Sequence, residues 1–120
     1  MIYQETNLYG ADNSGARYMR CIRVFGKKKG KIGDQIIVTV KKAKPHRKVK
    51  KGKVYRAVVV QTKGWQKRPF GNSVRFSSNR AVILKRGENI PLGSRVTKFV
   101  GFEIRKEGFL KLITLSIGNV

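Results

Sequence analysis

A chain of 120 residues that is 40% apolar is long enough to bury one core, so residues 1–120 are expected to form a single domain. Its 28 Lys and Arg against 6 Asp and Glu give a formal charge of +22, whereas a small domain needs only roughly 2–8 charges of net excess to stay dispersed. Self-repulsion at that density argues that a polyanion belongs to the working state. The sequence argues against a membrane partner, because it holds no run of roughly 18 apolar residues, no amphipathic basic helix and no lipid anchor.

The first six residues have neither the basic start and apolar centre of a secretory signal nor the Arg-rich character of a transit peptide, so the protein is expected to work where it is made. Ala11-Asp12-Asn13-Ser14-Gly15-Ala16-Arg17 is a turn by composition, because Asp, Asn and Ser bond nearby backbone and Gly15 permits positive φ. Residues 18–25 form a β-rich run in which the lone Cys21 reads as a buried structural thiol. The basic loop 26–31 lacks the phosphate-cradling Gly-x-x-x-x-Gly-Lys-Ser/Thr spacing, and Ile32 stands where a hydroxyl would hold Mg²⁺. Residues 35–41 alternate, with Ile36, Val38 and Val40 on one face. Residues 54–61 are apolar at nearly every position, as in a strand buried on both faces.

Residues 73–76 and 81–84 are shorter strand candidates, residues 99–105 allow a short helix, and residues 111–117 alternate as a last strand. Several short strands at close spacing predict a mainly β chain closed into a small barrel. Catalytic chemistry is not assembled. The lone His46 and lone Cys21 supply too few ligands for zinc and no nucleophilic pair, and Asp12 and Ser14 have no base to complete a relay. We expect no enzyme activity, no metal and no cofactor.

The charge is concentrated in one window. Sixteen Lys and Arg and no acid lie between Gln35 and Gly87. The tract 41–53 alone holds Lys41, Lys42, Lys44, Arg47, Lys48, Lys50, Lys51 and Lys53. A Lys run is usually a solvated face or a localisation signal, but no acids are interspersed here, which favours phosphate contact. Lys63, Lys67 and Arg68 surround Trp65, which is read as a contact to RNA or to a neighbouring protein, while Tyr55 and Phe76 are read as core.

Several stretches carry a more specific signal. Met1-Ile2 with Thr6 and Leu8, the 11–17 turn, Cys21-Ile22, Gly33-Asp34, Val49-Lys50-Lys51-Gly52 and Ala57-Val58-Val59-Val60 resemble, in order, the universal large-subunit ribosomal protein L14 family. So do Arg75-Phe76, Asn79-Arg80-Ala81-Val82 and Gly93-Ser94-Arg95-Val96. The resemblance implies a closed five-stranded β-barrel with a C-terminal segment carrying short helices. It implies a structural role in the large subunit, in assembly and in an intersubunit bridge. The implied partners are large-subunit rRNA, L19-like and L3-like ribosomal proteins, small-subunit rRNA at the bridge, and a ribosome silencing factor.

Carried over by position, Arg17, Lys50, Lys51, Arg75 and Arg80 would be rRNA contacts. Lys27, Lys28, Lys31, Lys41, Lys42, Lys44, Arg47, Lys48, Lys67 and Arg68 join them as basic loop and strand-end residues. Ser94, Arg95 and Lys111 would form a protein interface, in the region where the silencing factor docks on family members. The chain departs from the family pattern at Phe70, at Lys53 in place of an acid, and at Thr97-Lys98-Phe99. Abundant Lys and Ile with few acids fit a mitochondrial copy ahead of a bacterial cytoplasmic one. The alternative is a free-standing small-barrel RNA-binding or chaperone module. Such a module would bind unstructured RNA through an aromatic face, and the expected strands carry no run of exposed aromatics.

Overall fold

The computed structural model describes residues 1–69 and 71–120; Phe70, where the family pattern is broken, lies outside the described residues. In chain order the elements are β1 (Ile2–Tyr3), β2 (Asn7–Gly10), β3 (Ala16–Val24), β4 (Lys29–Gly30), β5 (Gln35–Ala43), β6 (Val54–Gln61), β7 (Gln66–Lys67), β8 (Ser73–Val74), β9 (Arg80–Ile83), α1 (Glu103–Lys106) and α2 (Leu110–Leu115). Strands β2, β3, β5, β6 and β9 close into a barrel in that order, with β1–β4 and β7–β8 as small two-stranded ribbons. The mainly β, five-stranded closed barrel with short C-terminal helices is therefore as expected. Closure leaves the barrel strands without an unpaired edge.

Alternation explains β5. Ile36, Val38 and Val40 are fully buried inside, while Ile37 and Thr39 are half-buried outside. Strand β3 is less regular. Its pairing with β5 slips between Ala16 and Tyr18, between Tyr18 and Met19, and between Cys21 and Arg23, and such bulges bend a strand and increase its twist. Met19, Cys21 and Val24 still point inward. Closure comes from β2, which pairs antiparallel with β3 and parallel with β9.

Strand β6 serves two cores. Ala57 and Val59 join the barrel interior with Leu8, Met19, Val38 and Ile83. Val58 and Val60 point outward into a second cluster with Ala11, Ile32, Val82, Val96, Val100, Ile104, Phe109 and Leu112. The expected two-sided burial holds from Ala57 onward; Val54 is exposed, and Tyr55 and Arg56 are half-buried. Strand β9 divides in the same way, with Ala81 and Ile83 inward and Val82 outward.

The second cluster explains the C-terminal segment. Helices of four and six residues without side-chain caps are too short to persist alone; the burial of Ile104, Phe109 and Leu112 holds them. A polar latch adds to this. Gln66 Oε1 accepts from Ile32 N–H at 3.1 Å, and Gln66 Nε2 donates to Glu103 Oε2 at 2.8 Å. Arg68 pairs with Glu103 at 3.0 Å.

Three expectations need correction. Residues 111–117 are not a strand: α2 occupies Leu110–Leu115, because Leu112 packs one turn after Phe109 into the second core while Ile117 stays exposed. The short helix expected over residues 99–105 begins only at Glu103. Strand β2 was not foreseen, since in Asn-Leu-Tyr-Gly only Leu8 is buried. Other bounds shift by a residue or two, and β6 matches to the residue.

Replacing Leu112 with Ala should remove about 2–5 kcal/mol from the second core. Native-state hydrogen exchange should then show faster opening of residues 96–120 while β3 and β5 stay protected. Equal acceleration in β3 and β5 would contradict the division into two cores.

Candidate nucleic-acid interface

The 11–17 turn is a three-way junction. Within it, Asp12 Oδ1 accepts from Ser14 Oγ at 2.7 Å and from the Ser14 N–H at 3.4 Å. Towards the C-terminal segment, Asn13 Nδ2 donates to Ser94 Oγ at 2.7 Å, and Asn13 Oδ1 accepts from Arg95 N–H at 3.0 Å. Towards the basic loop, Lys44 N–H donates to Gly15 C=O at 2.9 Å. Gly15 has a φ of +108°, and a Cβ there would lie 2.4 Å from Arg47 Cβ. Only glycine allows both the left-handed backbone and this approach.

The loop between β5 and β6 is anchored mainly by its backbone and by Val49. Val49 reaches the barrel core, Lys50 N–H donates to the Tyr55 hydroxyl at 3.1 Å, and Gly52 N–H donates to Val40 C=O at 2.8 Å. Lys48 Nζ also reaches Leu92 C=O at 3.2 Å. Lys41, Lys42, Lys44, Arg47, Lys48, Lys50, Lys51 and Lys53 are all exposed around it. The tract is thus a row of cations on a fixed backbone, which limits the ordering cost of binding.

The remaining basic candidates fall into two groups. Arg17, Lys28, Lys31, Lys67 and Arg75 are exposed. Lys27, Arg68 and Arg80 are engaged within the fold. Lys27 Nζ lies 3.1 Å from Asp34, Arg68 is held by Glu103, and Arg80 donates to Gly10 C=O at 3.2 Å with its guanidinium 5.5 Å from the Tyr9 ring centroid. Trp65 is 60% exposed, with the Arg75 guanidinium 5.0 Å over its ring. Ser94 and Arg95 sit exposed at the junction, and Lys111 is exposed on α2. Tyr55 packs against the barrel core and Phe76 against the second cluster, as expected.

Sequence reasoning missed the aromatics of the barrel wall. Tyr9 and Tyr18 are cross-strand partners on β2 and β3, their rings meet edge to face at 5.4 Å, and Tyr9 is 48% exposed. Tyr18 is half-buried, so this is one pair of rings and not a run of exposed aromatics along the strands. The pair was missed because β2 was not recognised, and the signal available was the repeated Tyr flanking the turn.

His46 is exposed in the loop at a φ of 59°, a conformation that His tolerates better than most residues. Cys21 lies inside the barrel, where burial pushes its thiol pKa up and away from reactivity. Among the described residues, no three His, Cys, Asp or Glu side chains are placed to hold a metal, and no helix is long and apolar enough to cross a membrane.

A closed five-stranded barrel backed by a second apolar layer, with a wall and loops lined by cations, defines a small basic β-barrel protein. Residues 1–119 match the family described as ribosomal protein L14p/L23e, and the chain belongs to that family. It is accordingly a structural, non-enzymatic protein of the large ribosomal subunit, acting in translation.

Burial pushes the Asp12 carboxyl above its ordinary range, opposed in part by its hydrogen bonds from Ser14. A raised folded-state value means that the folded chain holds this proton more tightly than the unfolded one. Asp12 therefore adds stability as pH falls through the folded value and loses that contribution as pH rises through it. Between about pH 7 and about pH 4 the melting temperature of the wild type should climb relative to Asp12→Asn. Calorimetry of both proteins checks this, and parallel pH profiles would contradict it.

Proposed function

We propose that the chain binds large-subunit rRNA through the 41–53 tract, the adjoining Arg17 and the exposed Lys28, Lys31, Lys67 and Arg75, and that this binding contributes to subunit assembly. The observation that carries the reading is the anchored 44–53 loop: Val49 is buried while every Lys and Arg of the tract is exposed. No acid lies between Gln35 and Gly87 to neutralise it. Each phosphate neutralised by Lys or Arg releases counterions, so binding should be strong and salt-labile. Arg68, Arg80 and Lys27 contribute to this surface while keeping the partners they hold within the fold.

The C-terminal segment is the protein-facing side of this reading. Ser94, Arg95 and Lys111 are accompanied there by exposed Phe99, Phe102, Ile117 and Val120, a mix of apolar and polar side chains suited to protein contact. L19-like and L3-like proteins, small-subunit rRNA at an intersubunit bridge and a ribosome silencing factor are the proposed partners. Because both apolar clusters share β6 and β9, residues 1–120 act as one domain in this account. The Lys-rich, acid-poor composition supports a mitochondrial ribosome as its location, with the bacterial cytoplasm as the alternative.

Lys50 and Lys51 are exposed, and neither side chain has a hydrogen-bond partner among the described residues. Replacing both with Glu should leave thermal unfolding close to wild type while removing the protein from the large-subunit peak of a sucrose gradient. Normal co-sedimentation of the double variant after a high-salt wash would refute the role given to this loop.

A further inference from the structure

The register of the barrel sets four side chains in one transverse row. Arg80 on β9 is the partner of Tyr9 on β2, Tyr9 is the partner of Tyr18 on β3, and Tyr18 is the partner of Lys42 on β5. Directly opposed residues project from the same face of a sheet. The inward positions next to the two tyrosines are Leu8 and Met19, both fully buried in the barrel. The row therefore runs along the outer wall in the order cation, aromatic, aromatic, cation. The slip between Ala16 and Tyr18 places Arg17 beside it as the extra residue of a bulge.

This row has a built shape. The two rings stand at 70° to each other, and the Arg80 guanidinium lies over Tyr9 while donating to Gly10 C=O, so the Tyr9 ring is held in place. Tyr9, Arg17, Tyr18 and Lys42 line a cleft of about 530 Å³, within the roughly 300–1,000 Å³ of small-ligand sites. Its lining joins two aromatic rings and two cations without a carboxylate. A flat π-system can lie against one ring with its edge to the other, and the two cations can reach negative groups at the rim.

We propose that this cleft takes one unpaired RNA nucleotide, with the base against Tyr9 and Tyr18 and the flanking phosphates on Arg17 and Lys42. The proposal rests on the RNA-binding reading above and adds recognition of a base to a surface otherwise read as binding phosphates. Stacking on an aromatic ring tolerates any base, so the cleft selects an unpaired, splayed-out nucleotide rather than a sequence. An apolar protein segment fits less well, because Arg17 and Lys42 in the lining would be desolvated without a counter-charge.

The test uses the full chain with a labelled RNA hexamer and an abasic strand of the same length and charge, at fixed salt. Wild type should bind the base-bearing strand about 5- to 100-fold more tightly than the abasic one. Tyr9→Leu with Tyr18→Leu should remove that preference and leave the salt dependence unchanged. Tyr9→Phe with Tyr18→Phe should keep the preference. Lys42→Ala should lower the salt slope by about 0.7. The ring proton shifts of Tyr9 and Tyr18 on titration with the hexamer give a readout that needs no variant.

Equal wild-type affinity for the two strands would overturn the cleft and leave phosphate binding standing. Failure to bind either strand would instead overturn the RNA-binding reading itself. Base preference retained in the Leu variants, or ring signals that do not move on titration, would also overturn the cleft.

Discussion

Neither face of strand β6 can be left to water. With Ala57 and Val59 inside the barrel and Val58 and Val60 outside it, a closed barrel alone would expose a strip of Val along β6 and β9. Ala11, Ile32, Val96, Val100 and the two short helices cover that strip. The C-terminal segment is folded because β6 needs a cover, and its uncapped helices form only where Ile104, Phe109 and Leu112 supply one. The remainder of the fold is arranged around this shared strand.

From that frame the charged surface follows. A chain with a formal charge of +22 cannot place its cations at random without opposing its own compaction. Eight of them lie in the 41–53 tract, whose loop is pinned by Val49, beside a turn pinned by Asn13, Ser14 and Gly15. The 11–17 turn holds the basic loop on one side and the 93–97 segment on the other. It therefore couples the proposed RNA-facing surface to the proposed protein-facing one. Two of the six acids form ion pairs within the fold, Asp34 with Lys27 and Glu103 with Arg68, and none of the six lies in the tract from 41 to 53.

How much of this was legible depended on the range of the interactions. Strand β6 could be read to the residue because it is apolar at nearly every position, as burial on both faces from Ala57 onward requires, and β5 because Ile36, Val38 and Val40 alternate with less buried neighbours. Strand β2 could not, since its short Asn-Leu-Tyr-Gly run buries only Leu8 and its closing partner β9 lies far along the chain. Helix α2 was misread because Leu112, Ile113 and Leu115 satisfy both periods over so short a span; burial beside Phe109 decides between them. The exposed tract was visible as uncompensated charge. The engagement of Arg68 with a carboxylate 35 residues away, and the alignment of Arg80, Tyr9, Tyr18 and Lys42, depend on tertiary register that no local pattern contains.

The wall bearing this row and the 44–53 loop form the proposed RNA-facing surface. Ultraviolet crosslinking of purified large subunits containing this protein, followed by mass spectrometry of the nucleotide-bearing peptides, tests it most directly. Crosslinks should concentrate in peptides spanning Tyr9 to Tyr18 and Lys41 to Lys53. Crosslinks confined to residues 85–90 and 98–120, with the basic tract unmodified, would contradict the account.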